Sequence, residues 1–330
     1  MSNLELRPAE LTCEEVAVLD RYSPVEILEP RNVPLGGPRA MNVRRTLPQR
    51  KRSLIGGWCF LDYYGPDEVS VTGGMRVPPH PHTGLQTVSW LFTGEIEHRD
   101  SAGFHAMVRP GEMNLMTAGR GICHSEVSTP GTTVLHGVQL WVALPSAARF
   151  VDRGFEHYVP EPVSGDGYEA RIFLGSVLGS ASPVHSHSPL VGAEISLQAG
   201  AMVRIPVDLS FEHGVLVDTG SVTFNERAVQ TSALGFLPPG HETIELSAAD
   251  DRPARVVLLG GEPLGEAIVM WWNFVGRSHE EIVAYRANWQ AEIGAEPSPS
   301  VNGRFGTVID STLAPLTAPP LPNARIRPRE

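Results

Sequence analysis

Residues 79–103 read PHPHTGLQTVSWLFTGEIEHRDSAG, and residues 109–126 read RPGEMNLMTAGRGICHSE. The first stretch opens on an H-x-H pair, His80 and His82, and the second closes on an H-x-E pair, His124 and Glu126. The residues around each pair alternate and are broken by Gly and Pro, which is strand-and-turn sequence. On a strand, residues i and i+2 point to the same face, so each pair sends two side chains in one direction. Convergence of the pairs gives three imidazoles and one carboxylate. That set suits a divalent first-row metal (Fe, Mn, Ni, Cu or Zn) and leaves octahedral positions open to water, oxygen or substrate. A lone strand histidine is more often a surface or hydrogen-bonded core residue. Here six of the twelve histidines fall between His80 and His136, and the two pairs share one spacing.

The rest of the chain sets the class. It has 330 residues, 42% of them hydrophobic, enough for two domains and a substantial core. The 33 glycines and 29 prolines are scattered singly between short apolar runs, as the many tight turns of an all-β protein require. A formal charge of −11, from 26 basic and 37 acidic residues, disfavours nucleic acid and anionic membranes. Cys13, Cys59 and Cys123 form no C-x-x-C and are too few for a disulfide framework, so they read as free thiols. No apolar h-region opens the chain and no apolar run approaches the ~20 residues of a membrane span, so a cytoplasmic protein is expected.

Local patterns predict the order of elements. The basic run Arg44, Arg45, Arg50, Lys51 and Arg52 reads as a solvated loop, and GGWCFLDYY (residues 56–64) as a buried strand. VLHGVQLWVAL (residues 134–144) reads as a central strand. The second half repeats this texture of short β runs, which predicts two tandem antiparallel β-barrels. One clear helix is expected near 278–293, capped by Ser278 with Glu281 completing the capping box, and with Ile282, Tyr285, Trp289 and Ile293 on one face. Gly294 ends it, and the Pro-rich tail beyond reads as extended along the surface.

PHPHTGLQTVSWLFTGEIEHRDSAG, RPGEMNLMTAGRGICHSE and HGVQLWVALP resemble the three hallmark segments of the pirin family, in the same order. GGEPLGEAIV and LPNARIRPR resemble its C-terminal region. The resemblance implies a bicupin (double-stranded β-helix), with a metal-bearing cupin at 1–145 and a metal-free cupin, helix and tail at 146–330. It places the metal ligands on His80, His82, His124 and Glu126, with Fe(II) foremost and Mn, Ni, Cu or Zn as alternatives. Gln86 stands where many members carry Glu, which removes a charge or base from that position. His185-x-His187 revives an H-x-H in the second half, but no partner pair follows at cupin spacing, since Thr243 stands two residues after His241.

The resemblance also implies a function: a quercetin 2,3-dioxygenase type of oxidoreductase, opening a flavonol-like aromatic substrate with O2. Glu126 is then the catalytic proton acceptor. The alternative is a redox- or metal-sensing regulator acting through a protein partner, as monomer or dimer. A zinc-type isomerase lacks a phosphate-binding signature in this chain. His98 and His136 are second-rank candidates for orienting a ligand or donating a proton. Cys123 has the opposite parity to His124 and is expected to point away from the site, and Trp90 and Trp141 are expected in the core.

Overall fold

Short β-branched and aromatic runs punctuated by turn residues fold here as antiparallel strands throughout. The computed structural model describes residues 24–35, 41–297 and 303–329, so Cys13 lies outside the described residues. Each half is a seven-stranded sheet facing a four-stranded one. In the first half the large sheet runs, in spatial order, Gly154–Tyr158, Met113–Thr117, Leu85–Thr93, Val134–Ala143, Trp58–Glu68, Met41–Leu47 and Arg31–Leu35. Its small partner is Arg76–His82, Ile122–Ser128, Ile96–Asp100 and His105–Val108. The second half repeats the plan. Glu26–Leu28, Leu234–Leu237, Glu212–Thr219, Ala254–Gly261, Leu190–Leu197, Tyr168–Leu174 and Val163–Gly165 form the large sheet. Met202–Pro206, Thr243–Ala248, Val222–Phe224 and Arg227–Val229 form the small one. This is the tandem arrangement of a cupin-type all-β protein that the sequence predicts.

The large sheets pack against each other, and strand alternation decides which side chains meet there. Val88, Trp90, Leu115 and Leu140 of the first half form one buried cluster with Phe173, Leu216, Val257 and Leu259 of the second. Polar groups pin the layer: Trp90 Nε1 donates to Glu194 Oε2 at 2.7 Å, and His136 Nε2 lies 2.7 Å from Asp218 Oδ1. Residues of the opposite parity line the inner space of each half.

Two edge strands lie across the expected boundary at residue 145. Glu26–Leu28 pairs with Leu234–Leu237 of the second half, and Gly154–Tyr158 pairs with Met113–Thr117 of the first. Each half therefore borrows an edge from the other's stretch of chain, which covers an otherwise open row of backbone donors and acceptors.

The helix spans His279–Glu292, with the Ser278 side chain accepting from the Glu281 N–H as the capping box predicts. Ile282, Tyr285 and Trp289 are buried, and Trp289 Nε1 donates to Leu316 O at 2.7 Å, tying the extended tail down. The basic run departs from its expectation. Arg44 and Arg45 belong to the strand Met41–Leu47, and Arg45 is 2% exposed, making a two-pronged contact with Asp62 at 2.7 and 2.8 Å. Alternation turns Arg45 inward, and the buried carboxylate of Asp62 makes that orientation tenable.

Candidate metal centre

Three prolines in RVPPHPH look hostile to a strand, since proline lacks the N–H that a ladder needs. Arg76–His82 nevertheless folds as one because it is the outer strand of its sheet, pairing only with Ile122–Ser128. The register aligns His80 with His124 and then slips, so that Glu126 faces Val77. The free edge is covered by the tail, where Leu316 N–H donates to Pro79 O at 2.8 Å. The turn after His82 needs glycine. Gly84 has φ +66, and a Cβ there would lie 2.4 Å from Val275 O, which belongs to a hairpin folded over this end of the first half.

His80, His82 and His124 come together, their ligand atoms within 4.8 Å of one another and all three rings fully buried. Their tautomers follow from their hydrogen bonds. His80 Nδ1–H donates to Pro78 O at 2.8 Å, and His82 Nδ1–H donates to Asn273 O at 3.1 Å. His98 Nε2–H donates to Asp100 Oδ2 at 3.1 Å, which leaves its Nδ1 to accept from His124 Nδ1–H at 3.4 Å. Every one of the three rings thus presents a bare Nε2. His80 Nε2 has no partner among the described residues, and His82 Nε2 and His124 Nε2 face each other at 3.1 Å. Burial first, then neighbouring imidazoles, holds His80 and His124 well below the ordinary histidine pKa; burial brings His82 to about 3. Neutral imidazoles with converging lone pairs fit a divalent cation.

Glu126 is 1% exposed and accepts from Ser89 Oγ at 3.2 Å. Its carboxylate groups with His98 and His124 rather than within reach of all three converging nitrogens. Burial pushes this carboxyl up, but neighbouring groups that favour the carboxylate outweigh it and bring it below its ordinary value. One wall is aromatic: the Trp141 ring stands edge-on to His82 with centroids 5.0 Å apart and stacks on Phe60 at 4.0 Å.

The remaining sequence candidates separate clearly. His98 is adjacent to the cluster, while His136 lies at the contact between the halves, near Asp218 and Tyr63. Cys123 turns the other way, into a cluster with Trp272, Phe274 and Trp289, and burial raises its thiol pKa, as it raises that of Cys59 to about 12. Gln86 is on the face opposite the cluster. It has the parity of Val88 and Trp90, and its Nε2 donates to Thr117 Oγ1 at 2.9 Å, so the expected loss of a charge beside the metal does not arise from it. His185 and His187 stack edge-on at 4.8 Å in the loop before Leu190–Leu197, and no third ligand type joins them among the described residues. Sequence reasoning missed Asn273, whose contribution is a backbone carbonyl and leaves no side-chain signal.

Comparison with known proteins agrees with this architecture. The sequence pattern of the family named Pirin matches residues 40–142, and that of the Pirin C-terminal cupin domain matches residues 192–293. A Pseudomonas aeruginosa protein, provisionally named a quercetin 2,3-dioxygenase, is 39% identical over 294 residues, covering 88% of this chain and 89% of its own. The crystal structure of a quercetin 2,3-dioxygenase from Acinetobacter baumannii superimposes with a TM-score of 0.85 at 36% identity, covering 92% of this chain and 97% of that one. An Escherichia coli pirin solved in complex with nickel(II) shares the fold, with a TM-score of 0.56 at 20% identity over 72% of this chain and 99% of its own.

Proposed function

The chain belongs to the pirin family, and from that premise we propose that it is a metal-dependent dioxygenase of the quercetin 2,3-dioxygenase type, acting on a small flavonol-like aromatic. The observation that carries the reading is the set of three anchored imidazoles with bare Nε2 atoms. Support comes from the nickel(II) held by the E. coli pirin and from the names of the Pseudomonas and Acinetobacter relatives. In this proposal the first half, 1–145, carries the metal, the second, 146–330, carries none, and the protein works in the cytoplasm.

His80, His82 and His124 hold the ion through Nε2, Fe(II) being our first choice of metal, and Glu126 completes the set. When bound, such an ion supplies Lewis acidity that lowers the pKa of a substrate hydroxyl and orients it toward O2. The chain's own groups do the rest. Glu126 accepts the hydroxyl proton, Ser89 fixes one oxygen of that carboxylate, and Trp141 with Phe60 excludes water from one side. Anaerobic loading with Fe(II), then oxygen uptake with quercetin, tests the reading: uptake that depends on metal and is lost in Glu126→Gln with metal retained supports it.

A second reading, a redox- or metal-sensing regulator, is favoured by one feature. The metal-bearing strand is bonded to the C-terminal tail through Pro79 and Leu316, and His82 to the overlying hairpin through Asn273, so ligand geometry is linked to surface segments. Stoichiometric metal with no oxygen uptake would move the assignment to this reading.

A further inference from the structure

The inner faces of the two halves differ in chemistry. Met202–Pro206 and Thr243–Ala248 occupy, in the second small sheet, the places that Arg76–His82 and Ile122–Ser128 occupy in the first. Their inward residues are Val203, Ile205, Ile244 and Leu246, all in the apolar core of that half, where the first half carries histidines and a glutamate. Against this apolar lining stands His213. It shares the inward parity of Val215 and Val217 on Glu212–Thr219 and is 1% exposed.

Neither ring nitrogen of His213 has a hydrogen-bond partner among the described residues. Space for the ring is made by Gly260, directly across the ladder. A Cβ there would lie 3.0 Å from His213 Cδ2 and 2.8 Å from Val191 Cγ1. Burial, with His241 as a second cause, brings the His213 pKa down to about 4, so the ring is neutral at physiological pH. A buried imidazole with two unpaired nitrogens is destabilising unless something bonds to it.

His213 borders a cavity of about 650 Å³, within the size range of small-molecule sites. Val177, Val191 and Phe211 give it apolar walls, and Ser176 and Ser182 add hydroxyls. Asp208 stands at its rim, its carboxyl held below the ordinary range chiefly by the Ser210 hydroxyl, so the mouth repels anions. No cluster of three metal-ligating side chains surrounds it among the described residues.

We propose that this cavity is a second ligand site, independent of the metal centre, that takes a small uncharged phenol with its hydroxyl paired to His213. A hydroxyl both donates and accepts, so it can pair with a ring nitrogen of a neutral imidazole in either tautomer. The aromatic body suits the apolar walls, with the Phe211 ring 6.3 Å from that of His213.

The test uses 4-bromophenol on the full-length protein, by calorimetric titration and by anomalous diffraction from soaked crystals. The expected result is saturable binding, a bromine peak in this cavity and a phenolic oxygen bonded to His213. His213→Leu is expected to weaken binding at this site at least tenfold while keeping or raising the thermal midpoint, because the unpaired nitrogens are gone. Val191→Phe, which fills the cavity and leaves the imidazole in place, is expected to give the same loss, and His213→Gln to retain most of the affinity. Bromine found only in the first half, affinity unchanged in both cavity variants, or an adventitious additive only, seen in crystals without saturable binding in solution, would overturn the proposal.

Discussion

His82 Nε2 stands 3.1 Å from His124 Nε2, and neither nitrogen carries the ring proton, because each ring commits its Nδ1–H elsewhere. Two lone pairs at that separation repel in a site with 0% exposure, unless a cation lies between them. Metal binding and the stability of this end of the molecule are therefore coupled. Loading to about 1,000 times the dissociation constant is expected to add about 4 kcal/mol of stability, and a chelator to remove it. Thermal unfolding with and without metal checks this, and equal midpoints would count against the coupling.

His98 orients His124 without itself being needed as a ligand, through the relay Asp100–His98–His124. His98→Ala is expected to leave metal stoichiometry intact and weaken affinity by about 10- to 100-fold, the usual cost of losing a group that supports a ligand. Asp100→Asn should give a smaller loss in the same direction. Competition with a chelating dye reads both, and a loss of stoichiometric metal in His98→Ala would make His98 a ligand instead.

The Arg45–Asp62 pair is buried, with both side chains at most 1% exposed. Asp62→Ala leaves the guanidinium without its carboxylate and is expected to cost about 3–5 kcal/mol. The double replacement Arg45→Met with Asp62→Leu should recover most of that. Urea unfolding of the wild type and the two variants separates the cost of removing one partner from the net worth of the pair.

These residues also show what the sequence does and does not disclose. The H-x-H and H-x-E spacings and the Ser278 cap are local signals, set by strand alternation and by the first turn of a helix, so they are legible in one dimension. The burial of Arg45 is hidden in its basic run because its partner Asp62 lies on the adjacent strand, a pairing that no local pattern encodes. The orientation of Gln86 is not legible locally, because the phase of Leu85–Thr93 depends on which face meets the second half. The crossing of Glu26–Leu28 and Gly154–Tyr158 between halves is likewise a matter of sheet edges. Asn273 meets His82 through its carbonyl oxygen, which any residue supplies.

Trp289 holds the tail that covers the outer edge of the metal-bearing strand. It is 1% exposed, packs on Phe305 with centroids 5.5 Å apart, and donates to Leu316 O. Trp289→Ala is expected to cost about 3–5 kcal/mol and to release metal faster, because the Leu316–Pro79 bond loses its support. Chelator-driven metal release by stopped flow measures the second effect. An unchanged rate would show that the tail is irrelevant to the centre.

His213 makes the protein acid-sensitive in a defined window. Its folded pKa of about 4 lies below the ordinary 6.5, so the unfolded chain takes up the proton first as the pH falls. Stability is full above about 6.5 and is lost progressively down to about 4, on the order of 3 kcal/mol. His80, His82 and His124 act in the same direction in the metal-free protein. His213→Leu is expected to flatten its share of the dependence in denaturant titrations between pH 7 and pH 4, and an unaltered slope would contradict it.

The central claim is that three imidazoles and Glu126 hold one divalent ion. Metal analysis of the purified protein beside its His124→Ala variant tests it most directly, with circular dichroism confirming that the variant is folded. About one metal per chain is expected in the wild type and background metal in the folded variant. Full occupancy in His124→Ala would contradict it.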